Sequence, residues 1–140
     1  MKKLLLASLL CIYSLSYSFS QTINSNENFG CTFGQGYWKN HSNCKTNGNG
    51  LERDETWNLI VGNDIEGNPT SGESTIFFKS NQDHCEVFQT NPGKAGKYYI
   101  LAHKYITAHL NLLRNADPAE IEETLKEATD FLKINSPADV

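Results

Sequence analysis

Six consecutive residues, Gly36-Tyr37-Trp38-Lys39-Asn40-His41, place two aromatic rings, an amine, an amide and an imidazole close together. Such a set has two chemical uses. The rings can stack on the apolar side of a sugar while the amine, amide and imidazole bond its hydroxyls. Alternatively the rings fill a corner of the core and the polar groups close a hydrogen-bond network around it. Tryptophan is highly buried on average, which favours the core for Trp38. Tyr37, Lys39, Asn40 and His41 then form the face that remains for a ligand.

His103 and Asn111 lie on a later apolar-patterned segment. His41 and His103 could meet at a metal or a proton-transfer site, with Asn40 or Asn111 orienting them. The competing reading, which we favour, is a buried network that ties an irregular loop to a helix. A metal is not expected. His41-x-x-Cys44 has ligand spacing, but no second pair matches it. His103 and His109 are separated by about 240° around a helix and diverge, and His84 and Cys85 are adjacent and point apart.

Catalytic signatures are missing: there is no Gly-x-Ser-x-Gly elbow, no His-Glu-x-x-His and no phosphate loop. Glu52, Asp54 and Glu55 could pair for glycoside chemistry. As acids opening a helix they are already explained by its dipole. Glu120, Glu122, Glu123 and Glu127 read as the wet face of the last helix. No catalytic residue and no cofactor is expected.

These residues must be carried by an exported chain. Lys2 and Lys3, the apolar run Leu4 to Tyr13 and the small residues Ser18 and Ser20 read as a signal peptide over residues 1–20, cleaved before Gln21. Leu10 is too bulky for lipid processing at Cys11, so Cys11 leaves with the signal. Removing Lys2 and Lys3 takes the 12 Lys and Arg to 10 against 16 Asp and Glu, a net charge of −6. That balance, without basic clusters, excludes a nucleic-acid footprint, and no later segment has the length of a membrane helix. The expected location is the periplasm or outside the cell.

Three cysteines remain, Cys31, Cys44 and Cys85, and an oxidising compartment pairs two of them. Cys31 with Cys44 closes the shortest loop, at about 3 kcal/mol in the chain-entropy model, and is the expected disulfide. Pairing with Cys85 stays open. Cys85 lies in an apolar pattern and reads as a small buried residue.

Along the chain, 21–30 reads as a flexible lead and 31–140 as one domain of modest core size. Residues 31–50 read as loop and turn. Arg53 to Val61 fits a short helix with Trp57, Ile60 and Val61 inward, and Asn63 to Ser74 a surface loop. Asp83 caps a brief helix that ends before Asn91-Pro92-Gly93. Lys97 to Asn115 is free of glycine and proline and carries a broad apolar stripe, so it is a helix buried on most of its circumference. Asp117-Pro118-Ala119-Glu120 opens a second helix running to about Ile134, and the short connection makes the pair antiparallel.

Two segments, Cys31-Thr32-Phe33-Gly34-Gln35-Gly36-Tyr37-Trp38-Lys39-Asn40-His41 and Leu101-Ala102-His103-Lys104-Tyr105-Ile106-Thr107-Ala108-His109-Leu110-Asn111, resemble a recurrent bacterial secreted module. That module has a "TQGYWKNH" block followed by an "LAHQxIAAxLN" helix and a further helix. The resemblance implies export and an architecture rather than a reaction. This chain departs from it at Gly34, Thr107 and His109 and in the stretch Asn43 to Gly50. The expectation is therefore a mainly α domain, an irregular disulfide-closed N-terminal loop packed on an antiparallel helix pair. Its expected role is non-catalytic binding or structure, with a surface glycan or protein as partner. The alternative is a metal-dependent or histidine-based hydrolase using His41 and His103. The residues assigned to a ligand are Tyr37, Trp38, Lys39, Asn40, His41, His103 and Asn111.

Overall fold

The computed structural model describes residues 30–44 and 51–140. The expected signal peptide, and the lead apart from Gly30, lie outside the described residues. The fold is mainly helical. Among the described residues five α-helices, α1 (Gln35–Asn40), α2 (His84–Gln89), α3 (Pro92–Ala95), α4 (Lys97–Leu113) and α5 (Glu122–Ile134), accompany one hairpin of β1 (Val61–Asn63) and β2 (Pro69–Ser71). No described helix is long and apolar enough to cross a membrane.

The long helix α4 is the centre because its stripe is broad enough to receive neighbours on several sides. It packs against α1, α2, α3, α5 and a 3-10 turn at Glu55–Leu59. Tyr98, Ala102, Ile106 and Leu110 from α4 meet Trp38, Trp57, Phe77, Phe88 and Leu132 in one core. The helix stops at Leu113 in a Schellman motif. Asn115 takes φ 68°, its N–H donates to Leu112, and the Ala116 N–H donates to Asn111. Thr129, about two turns into α5, meets Tyr105, about two turns before the end of α4. The two helices therefore touch near their midpoints. The second helix begins at Glu122 rather than at Pro118. Asp117 caps a preceding turn instead, accepting from the Ala119 N–H at 2.9 Å.

Asp83 caps α2 as expected, in a capping box with Glu86. Three short elements depart from expectation. Residues 35–40 are a helix rather than loop, because burying Trp38 outweighs the weak helix propensity of Gly36. Residues 55–59 form a 3-10 turn capped by Asp54. The chain is extended by Ile60, so Val61 enters β1 and is 79 % exposed instead of packing inward. The expected loop over 63–74 contains the second strand, paired Val61↔Ser71, Gly62↔Thr70 and Asn63↔Pro69. The Asp64 carboxylate holds its turn by accepting from the N–H groups of Glu66 and Asn68.

The expected Cys31–Cys44 disulfide is corrected: Cys44 pairs with Cys85, and Cys31 is an exposed free thiol. The physical reason is where the neighbours are anchored. Gly30 donates its N–H to Asn115 at the end of α4, which holds Cys31 there. Cys44 follows α1 and reaches the start of α2, with its Cα 5.0 Å from that of Cys85. Cys85 is thus a cross-link rather than a small core residue. A bond of 41-residue separation constrains the unfolded chain by about 4 kcal/mol. Gly30 is itself required, since a Cβ there would lie 2.3 Å from the Arg114 carbonyl oxygen.

Candidate functional site

The two motif segments meet along a seam between α1 and α4, and Asn111 holds it. Its Oδ1 accepts from the Phe33 N–H at 2.9 Å and from Trp38 Nε1 at 3.1 Å, while its Nδ2 donates to the Phe33 carbonyl at 3.0 Å. Trp38 is 0 % exposed and belongs to the core. Phe33, Tyr37 and His41 recur every four residues and stack as a ladder. Ring centroids are 4.1 Å apart at each step. The Arg114 guanidinium lies over the Phe33 ring at 4.7 Å. Both faces of Tyr37 are therefore covered by neighbouring rings.

The ladder is fixed from below by Asp54. Its carboxylate accepts from the Tyr37 hydroxyl at 2.7 Å and pairs with Arg114. Burial opposes the charge on Asp54, yet the bonds from Thr56 and Tyr37 and the Arg114 charge win, and its pKa falls below the usual value. The bond to that carboxylate, with burial, raises the pKa of Tyr37. His41 donates Nδ1–H to the Glu52 carbonyl at 2.7 Å. Lys39 lays its ammonium 5.1 Å over the Phe88 ring, and burial lowers its pKa. Asn40 is exposed.

His103 is buried. Its Nε2 is 2.8 Å from the Val87 carbonyl and its Nδ1 2.9 Å from Gln35 Nε2. A carbonyl only accepts, so Nε2 carries the proton and Nδ1 accepts from Gln35. Burial, with the Lys39 charge as a smaller contribution, lowers its pKa. Both ring nitrogens are engaged, and among the described residues His41 and His103 share no bonding partner. Of the seven residues assigned to a ligand, the structure joins Trp38 and Asn111 directly and leaves Asn40 exposed.

Beside this seam runs a groove of about 560 Å³ between the N-terminal segment, α4 and the turn before α5. Ala108, Ala116 and Ile121 give it an apolar floor. Thr32, Gln35, Lys104, Thr107, Asp117 and Glu120 give it a polar rim. Lys104 is exposed and enters no ion pair among the described residues. Sequence reasoning assigned Glu120 to a solvated helix face and passed over Gln35 and Lys104. A signal existed in the helical spacing of Lys104, Ala108 and Asn111, which places them on one face. What covers that face depends on the path of residues 114–121.

Among the described residues no group of three or more His, Cys, Asp and Glu side chains is placed to hold a metal. Comparison with family models, with curated proteins and with solved structures found no match.

Proposed function

We propose that the chain is an exported, non-catalytic binding module whose groove between the N-terminal segment, α4 and the turn before α5 takes a surface glycan. The observation that carries this reading is the groove itself. Its volume, about 560 Å³, lies within the range of small-ligand sites. An apolar floor with amide, hydroxyl, amine and carboxylate groups around it suits a ring with one apolar side and hydroxyls at its edge. The groove abuts the seam built by the two motif segments, whose resemblance to secreted bacterial modules supports export. The signal-like residues 1–20 and the Cys44–Cys85 bond support the same direction.

The rim replaces Tyr37, Lys39 and His41 as the recognising face, because those side chains are engaged with Asp54, Phe88 and Glu52. Nuclear magnetic resonance titration of the mature protein with cell-wall glycan fragments tests the reading. Amide shifts are expected at Thr107, Ala108 and Ile121. Lys104→Ala with Glu120→Gln should weaken the response by about ten-fold, the loss of roughly 1.4 kcal/mol. A panel that moves no groove amide, or binding that ignores the double variant, overturns it.

A further inference from the structure

A second recess, of about 310 Å³, lies on another side of α4 and is independent of the groove. Ile60, Ile76, Phe78 and Tyr105 wall it, and its two imidazoles are His84 and His109. His84 enters at the start of α2. Its Nδ1 lies 2.8 Å from the Thr75 carbonyl and 2.9 Å from the Thr75 hydroxyl oxygen. That hydroxyl already donates to the Gly72 carbonyl at 2.8 Å, so both Thr75 oxygens accept and Nδ1 carries the proton. Nε2 of His84 is left as a lone pair.

His109 enters from α4 with its ring 5.7 Å from that of Tyr105. It makes no hydrogen bond to a described residue. Burial lowers the pKa of both histidines, and a charge on His109 further disfavours one on His84; the bond to the Thr75 carbonyl and the charges of Asp83 and Glu73 act the other way. Two imidazoles, each with a nitrogen that bonds no described residue, line one recess walled mainly by apolar side chains.

We propose that His84 and His109 bind a transition-metal ion of the zinc and copper class. Neutral imidazole is a ligand that suits these metals. The bond from His84 Nδ1–H to a backbone carbonyl is the outer contact that fixes a ligating histidine in one tautomer and orientation. Among the described residues no carboxylate lines the recess, so it is unsuited to calcium or magnesium. The protein supplies two ligands, and water or a small exogenous ligand completes the coordination.

Copper(II) is the sensitive probe, because it stands highest in the affinity order of divalent first-row metals. The test is calorimetric titration of the mature protein carrying Cys31→Ser, which removes the competing exposed thiol. One equivalent of copper should bind, and His84→Gln or His109→Gln should each weaken it by about ten-fold or more. His41→Gln should leave it unchanged. Paramagnetic broadening should strike the ring protons of His84 and His109 before those of His103, whose nitrogens are both engaged. His109 makes no hydrogen bond to a described residue, so its variant should fold and keeps the test decisive if His84→Gln does not. Absence of stoichiometric copper, its retention in His109→Gln, or its loss in His41→Gln overturns the proposal.

Discussion

Asn111 and His109 are two residues apart on α4 and live under opposite conditions. Asn111 spends both ends of its amide on Phe33 and Trp38. His109 spends neither nitrogen on a described residue. Two residues turn a helix by about 200°, so the side chains serve opposite regions. In the seam between α1 and α4, polar groups are used up in holding the chain. In the recess beside the hairpin they are left over. Residue type does not separate the two cases, since His103, like Asn111, has every polar atom of its side chain bonded.

The largest effect that sharpens this contrast is expected at Trp38. Trp38→Ala should lower stability by about 3–5 kcal/mol, the usual cost of emptying a buried aromatic site. Urea unfolding measures it. A loss below about 1 kcal/mol would mean that the seam is a surface feature and that the division between regions fails.

Next in size is the covalent tie that brings the end of α1 to α2. Cys85→Ser should cost about 2–4 kcal/mol, whereas Cys31→Ser should stay within about 0.5 kcal/mol as an exposed substitution. Peptide mapping after alkylation should recover Cys44 joined to Cys85 and a modified Cys31. Recovery of Cys31 joined to Cys44 would separate α1 from α2 and undo the placement of His84.

Asn111→Ala should cost about 1–3 kcal/mol, since it strands the buried Trp38 indole N–H. His109→Gln, which breaks no hydrogen bond to a described residue, should cost far less. Equal costs at the two positions would erase the distinction between a face whose polar groups are bonded and one whose polar groups are free.

Much of this frame is legible in the sequence, and the parts that are not share a cause. The stripe of α4, the cap at Asp83 and the end of α5 near Ile134 follow from local chemistry repeated over many residues. The disulfide does not, because loop length says nothing of where Gly30 is pinned, and Gly30 is pinned by Asn115 far along the chain. The hairpin is missed because its strands hold three residues each, too few for an alternating pattern. Asn111 and His41 are recognisable as candidates, but their roles rest on Phe33, Glu52 and Asp54, which no motif connects to them. Divergence of His103 from His109 is predicted by helical angle. The approach of His109 to His84 depends on how α2 packs on α4.

Acid should produce the mildest and most discriminating effect. His84, His103 and His109 all have pKa values lowered first by burial, while an unfolded histidine titrates near 6.5. The unfolded chain therefore binds more protons as pH falls below about 6.5, and stability present above that pH is progressively lost. Asp54 and Glu73, whose values are also lowered, add their loss only in the carboxylate range, near pH 4 and below. Unfolding free energies measured between pH 7 and pH 5 should thus decline before those acids contribute. His109→Gln should flatten part of that slope without lowering stability at pH 7, because its imidazole is half-buried and bonds no described residue. His103→Gln should also flatten it, yet with a cost at pH 7, because Val87 and Gln35 lose their partner. The same slope change with different baselines, unchanged for one and lowered for the other, would distinguish a histidine that holds the fold from one left free for a ligand. Identical baselines would place both in the same class.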